Sequence, residues 1–230
     1  MEILMKRNCG LDEISDGKLY EPGDLVEASC NGCKGQAVCC HGMGNSIILD
    51  PFDIYQLTVK RHTGFESLLA GQIELNVVDG IILPNLKMSA EGESCVFLNP
   101  AGRCSVHAYR PGICRIFPLG RYYEKRDFKY FLQRNECPQN SRSLTKVAKW
   151  IDTADYERNK RFLITWHYFL NDVEEVIKSA QEDVLVKNLN MYLLNLFYVK
   201  SYDGSRDFYS QFEERLAGAK KILGFEDQEN

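Results

Sequence analysis

Eight cysteines stand where they could hold metal: Cys30, Cys33, Cys39, Cys40, Cys95, Cys104, Cys114 and Cys137. The first four are packed into "CNGCKGQAVCC". Thiolates in such density are the ligands of zinc sites and of iron–sulfur clusters. Cys30 and Cys33 form C-x2-C, the spacing at which a tight loop aims two sulfurs at one ion. Gly32 and Gly35 let the backbone turn closely around it. Cys39 and Cys40 are adjacent, and adjacent side chains diverge in regular backbone. The pair is therefore expected to serve two metal ions, two irons of one cluster, or a site and its surroundings. The later cysteines are separated by eight, nine and twenty-two residues. With no second C-x2-C and no two-histidine half, the pattern is neither a zinc ribbon nor a zinc finger.

A second dense stretch is "CSVHAYRPGICRIFPLGR", which interleaves Cys104 and Cys114 with Arg110, Arg115 and Arg121. A tetrathiolate zinc or a four-cysteine cubane carries about two net negative charges. Nearby guanidinium groups offset part of the cost of burying it, and Arg110 and Arg115 are the candidates for contact with the cofactor. Cys137 precedes Pro138, a dipeptide also found at the last cysteine of bacterial ferredoxin motifs. With eight thiols available, His41 and His107 are read as structural or surface residues. Cys9 sits apart and is not expected to be a ligand.

The elements that must position these thiols are read from local pattern. Asp50 followed by Pro51 is a helix start, opening a helix that runs to about His62. "SIIL", 46–49, reads as a short strand. "IELNVV" and "IILPNL" flank Asp79-Gly80, a hairpin signal, and "GRYY" and "FKYFL" flank a second turn. Beyond about Asp155 the apolar period becomes helical: Phe162, Trp166, Phe169, Val173 and Ile177 share one face. Leu185, Leu189, Tyr192, Leu196 and Val199 share another, and Phe208, Phe212 and Leu216 a third. The expected fold class is α+β. A cysteine-rich metal-binding domain, 1–140, with short strands, hairpins and helices precedes a helical bundle, 141–230, packed on it.

Composition narrows the function classes. The chain of 230 residues is 44% hydrophobic, enough to build a core without disulfide staples. Its formal charge is −4 and its basic residues form no long run, so neither nucleic acid nor a membrane surface is expected as a partner. The opening segment is too charged for a secretory signal, and no stretch approaches a membrane span. A cytoplasmic location is expected, where thiols stay reduced and an odd cysteine count points to metal rather than disulfides. No nucleotide-binding glycine loop, serine nucleophile elbow or radical-enzyme C-x3-C-x2-C occurs.

The stretches "CNGCKGQAVCCHG", "IILDPFDIYQL" and "CVFLNPAGRCSVHAYRPGICRIFPLG", followed by a last cysteine, resemble the YkgJ-type cysteine-cluster family over about residues 28 to 140. That family is described as zinc- or iron-chelating and is distantly similar to flagellin lysine N-methylases. The resemblance implies a metal-binding role for all eight clustered cysteines. The lack of paired C-x2-C knuckles and the Cys-Pro dipeptide favour an iron–sulfur cluster of the 4Fe–4S type, with Zn2+ as the alternative. Three classes follow: a cluster protein used in electron transfer, sensing or assembly; a cluster-dependent enzyme similar to the lysine N-methylases; and a structural zinc domain that presents its helical region to a protein partner.

Overall fold

The computed structural model describes residues 10–29, 37–89, 93–134 and 143–225. In chain order it places α1 (Leu11–Ile14), β1 (Leu25–Ser29), a 3-10 turn (Val38–Cys40), α2 (Pro51–Arg61), α3 (Phe65–Leu69), β2 (Ile73–Val78) and β3 (Ile81–Leu86). A second 3-10 turn (His107–Tyr109), α4 (Gly112–Ile116), β4 (Leu119–Glu124), β5 (Asp127–Leu132), β6 (Ser143–Lys146) and α5 (Val147–Ile151) follow. The chain then becomes helical, with α6 (Tyr156–Ser179), α7 (Asp183–Leu194), a π-type turn (Asn195–Val199) and α8 (Phe208–Leu223). Short antiparallel strand pairs and a helical C-terminal region make the fold α+β, as expected.

Local chemistry accounts for the elements around the thiols. Asp50 caps α2: its side chain accepts from the Asp53 N–H at 2.8 Å, and the Asp53 carboxylate accepts from the Asp50 N–H at 3.2 Å. Pro51 at the first helical position loses nothing by lacking a donor. In the β2–β3 hairpin both turn residues adopt positive φ, 51° at Asp79 and 83° at Gly80, as a tight two-residue turn requires. The β4–β5 hairpin turns at Lys125 and Arg126, again at positive φ.

Two expectations are corrected. Residues 46–49 form no strand but a single bridge, Ile48 to Asn85, against the free edge of β3. Leu86 N–H donates to the Ile47 carbonyl and Leu49 N–H to that of Pro84, but Pro84 has no N–H to return to Leu49. The Leu49 carbonyl accepts instead from the Tyr198 hydroxyl at 3.2 Å. On α7 and the π-type turn the buried face is Asn190, Leu193, Leu194, Phe197 and Tyr198, whereas Leu185 is exposed. The buried face is offset by about one residue from the expected stripe, whose Leu189, Tyr192, Leu196 and Val199 are half-buried at its edge.

The core is continuous from the hairpins into the helical region. Phe52 and Tyr55 of α2 pack on Phe208 of α8, with ring centroids 5.0 Å apart in both pairs. Trp166 of α6 meets Phe197 edge-on at 4.9 Å. Asn190 of α7 donates to the Gly80 carbonyl at 3.0 Å and accepts from the Ile82 N–H at 2.7 Å, tying the hairpin to α7. Among the described residues no helix is long and apolar enough to cross a membrane.

Candidate metal centre

All five described cysteines border one cavity of about 150 Å³, although they come from separate parts of the chain. Cys39 and Cys40 lie on the 3-10 turn Val38–Cys40, and the Cys95 N–H donates to the Cys40 carbonyl at 2.7 Å. Cys95 and Cys104 are set by bridges to Met88 and Leu98 respectively. Cys114 lies on α4, whose first residue, Gly112, donates its N–H to the buried Asp53 carboxylate at 2.8 Å. Trp150 closes another side, its indole N–H donating to the Ile116 and Phe117 carbonyls. The five thiols are free, and Cys30, Cys33 and Cys137 lie outside the described residues, as does Cys9.

Adjacent Cys39 and Cys40 do not face different regions. Their thiols are in hydrogen-bonding contact and share the cavity. The Cys40 hydrogen bond, aided by the charge of Arg110, lowers the Cys39 thiol to about 7. Its partner Cys40 is raised, by that same bond first and then by burial. Burial raises Cys95, Cys104 and Cys114, and the neighbouring Asp53 carboxylate adds to the effect on Cys114. Thiols in such a place become thiolates when a metal cation supplies the missing positive charge.

Arg110 borders the thiol cavity, and its Nη1 is hydrogen-bonded to His107 Nε2. The Arg110 Nε is buried without a partner. Burial first, then Arg110 and its neighbouring arginines, holds His107 below the ordinary imidazole value. Arg115 turns away to donate to the carbonyls of Ala108 at 2.9 Å and Asp152 at 3.3 Å. It lines an adjacent cavity of about 230 Å³ that also contains Arg110, Asp53 and Arg121. His41 forms a bridge with Ser94.

The residues present suit a thiophilic metal by donor type, since soft thiolates select zinc and iron–sulfur clusters. Among the described residues no three of Cys, His, Asp and Glu already stand as a ready ligand set. The described thiols share a wall without converging on one point.

Sequence reasoning passed over a second group of charges beside this cavity. Asp50, Asp53 and Arg121 come together with Tyr123 and His167, whose rings stack at 3.7 Å. Arg121 lies over the Phe128 ring and between buried carboxylates and tyrosines, so it is not a solvated surface charge. The available signal was Asp53, a second acidic residue one turn after Asp50; one of its oxygens accepts from the Asp50 N–H and the other from the Gly112 N–H across the fold.

A thiol-lined cavity built on short hairpins and a cysteine-bearing helical turn defines a metal-chelating module. Residues 29–138 match the family CxxCxxCC, described as a "putative zinc- or iron-chelating domain". That stretch, just under half of the chain, is the one over which the sequence resembles the YkgJ-type family. No curated protein matches the chain, and neither does any solved structure.

Proposed function

We propose that the clustered cysteines hold an iron–sulfur cluster, and that the protein serves in electron transfer, sensing or assembly. The observation that carries the reading is the shared cavity: five thiols and two arginines, Arg103 and Arg110, line about 150 Å³, more room and more sulfur than a single ion uses. The contact between Cys39 and Cys40 supports two metals of one centre over two separate sites. Cys30, Cys33 and Cys137 complete the donor set in this reading, and the ligands are drawn from all eight cysteines.

Arg110 is the counter-charge, with an unpartnered Nε for a sulfide or thiolate to accept from. When bound, the cluster supplies one-electron chemistry. This chain's residues hold it in an apolar wall and set its charge environment. Arg115 acts at one remove, by fixing the loop between His107 and α4.

The test is metal and acid-labile sulfide per chain, with the visible spectrum, on anaerobically isolated protein. At least four iron with matching sulfide is expected. Colourless protein with two zinc per chain and no sulfide replaces iron by zinc, and a single zinc removes the multinuclear reading altogether.

A further inference from the structure

A second cavity does not belong to the thiols. It encloses about 270 Å³ between the hairpins and α6, and its walls are apolar, formed by Leu83, Leu119, Leu163, Trp166 and Leu170 among others. At one end stand Asp50 and Arg121. A cavity at the small end of the range for ligand sites, with apolar walls and a few converging polar groups, is the usual form of a small-molecule site.

The polar end is incomplete as it stands. Both Asp53 oxygens are used, one by the Gly112 N–H and one by the Asp50 N–H. Asp50 spends one oxygen on the Asp53 N–H. The Arg121 Nε is buried and has no hydrogen-bond partner.

Charge decides what such an end accepts. An anion would meet two carboxylates, and a simple cation would meet the guanidinium. A wholly apolar ligand would leave the Arg121 donor unpaired, which is costly in a buried site. A ligand with both charges on neighbouring atoms and an apolar body satisfies all of these groups.

We propose that this cavity binds a small zwitterion of the α-amino-acid type with an apolar side chain. Its carboxylate accepts from Arg121 Nε, its ammonium donates to Asp50, and its side chain fills the space before Trp166. The site is separate from the metal reading and does not depend on it. Ile113, 36% exposed and part of the lining, stands at the mouth.

The experiment is calorimetric titration of the full chain, as purified, with L-phenylalanine and L-leucine. Phenethylamine and 3-phenylpropionate serve as ligands lacking one charge each. Saturable binding of an amino acid is expected, with each single-charge analogue at least about tenfold weaker, the usual loss when a charged hydrogen bond is removed. Asp50→Asn keeps a good helix cap while removing the charge, and it should weaken binding at least about tenfold. Arg121→Gln should do the same, and Ile113→Trp should block the opening. Should Arg121→Gln fail to fold, Asp50→Asn and Ile113→Trp carry the decision. No saturable heat with either amino acid, or an analogue binding as tightly as phenylalanine, or unchanged binding by folded Asp50→Asn, each overturns the proposal.

Discussion

The Cys95 N–H donates to the carbonyl oxygen of Cys40 at 2.7 Å, so the double-cysteine turn and the next thiol-bearing loop are joined by backbone before any metal joins their sulfurs. The loop geometry around Cys40, Cys95 and Cys104 is thereby fixed in part by the fold, and metal and fold should be lost together. Serine at Cys40, Cys104 or Cys114 is expected to bring metal per chain below about half and to lower stability by several kcal/mol, since structural metal sites contribute about 10 kcal/mol or more to folding. Cys9→Ser should change neither. Elemental analysis with denaturant melts on the same preparations checks both effects, and a Cys114→Ser chain that keeps its full metal content would remove Cys114 from the ligand set.

Cys39 and Cys40 should differ in reactivity once metal is stripped. Cys39, lowered to about 7, is partly thiolate at neutral pH, while its partner is held as the donor. In reduced, chelator-treated protein at pH 7, iodoacetamide is expected to alkylate Cys39 several-fold faster than Cys40. Arg110→Gln should slow the Cys39 reaction by removing a stabilising charge. Peptide mapping by mass spectrometry gives both rates, and equal labelling of the two cysteines would contradict the assignment.

What was legible in the sequence was local. Asp50-Pro51 and Asp79-Gly80 carry their own start and turn signals, so α2 and the β2–β3 hairpin could be read from neighbouring residues alone. The strand at 46–49 failed because its partner, Pro84, lacks a donor, a fact that matters only once the two are side by side. The face of α7 was misread by about one position, because the bonds of Asn190 to the hairpin and the burial of Leu193 and Leu194 select a side that the apolar pattern alone does not mark. Pairing of β1 with β6, and the meeting of Asp50, Arg121 and His167, depend on contacts between residues far apart in the chain. The cysteines were visible by type and density, but the shared cavity of Cys39 and Cys40 was not, since regular backbone predicts divergence.

The link between hairpin and α7 is testable at Gly80. Its φ is +83°, and an added Cβ would lie 2.8 Å from Ile177 Cγ2. Gly80→Ala combines a strained backbone with overpacking against α6, and is expected to cost about 1–3 kcal/mol. Asn190→Leu removes both bonds to the hairpin and leaves the Ile82 N–H without its partner, costing about 1–3 kcal/mol. The two sites share a contact, so the double variant should lose less than the sum. Urea melts of the four proteins form the cycle, and strict additivity would show that the two sites are not coupled.

Acid stability should reveal two buried groups working against each other. Burial raises the Asp50 carboxyl from 3.8 to about 6, so between those values the folded chain holds more protons than the unfolded one. Its contribution therefore improves as pH falls from about 6 to about 4, and above that window the buried charge costs up to about 3 kcal/mol. Burial lowers His167 from 6.5 to about 4, so there the unfolded chain holds more protons, and stability is lost as pH falls through nearly the same window. Asp53, raised by burial and by Asp50, acts in the same direction as Asp50. In chelator-treated protein, Asp50→Asn should be more stable than wild type at pH 8, keep little of that advantage at pH 4.5, and show a steeper acid loss. His167→Phe, which keeps a ring against Tyr123, should lose less on acidification than wild type. Urea midpoints at pH 8, 6 and 4.5 measure all three chains. An Asp50→Asn protein that is less stable than wild type at pH 8 would show that the carboxylate is stabilised by Arg121 more than it is penalised by burial, and would reverse the sign assigned to Asp50.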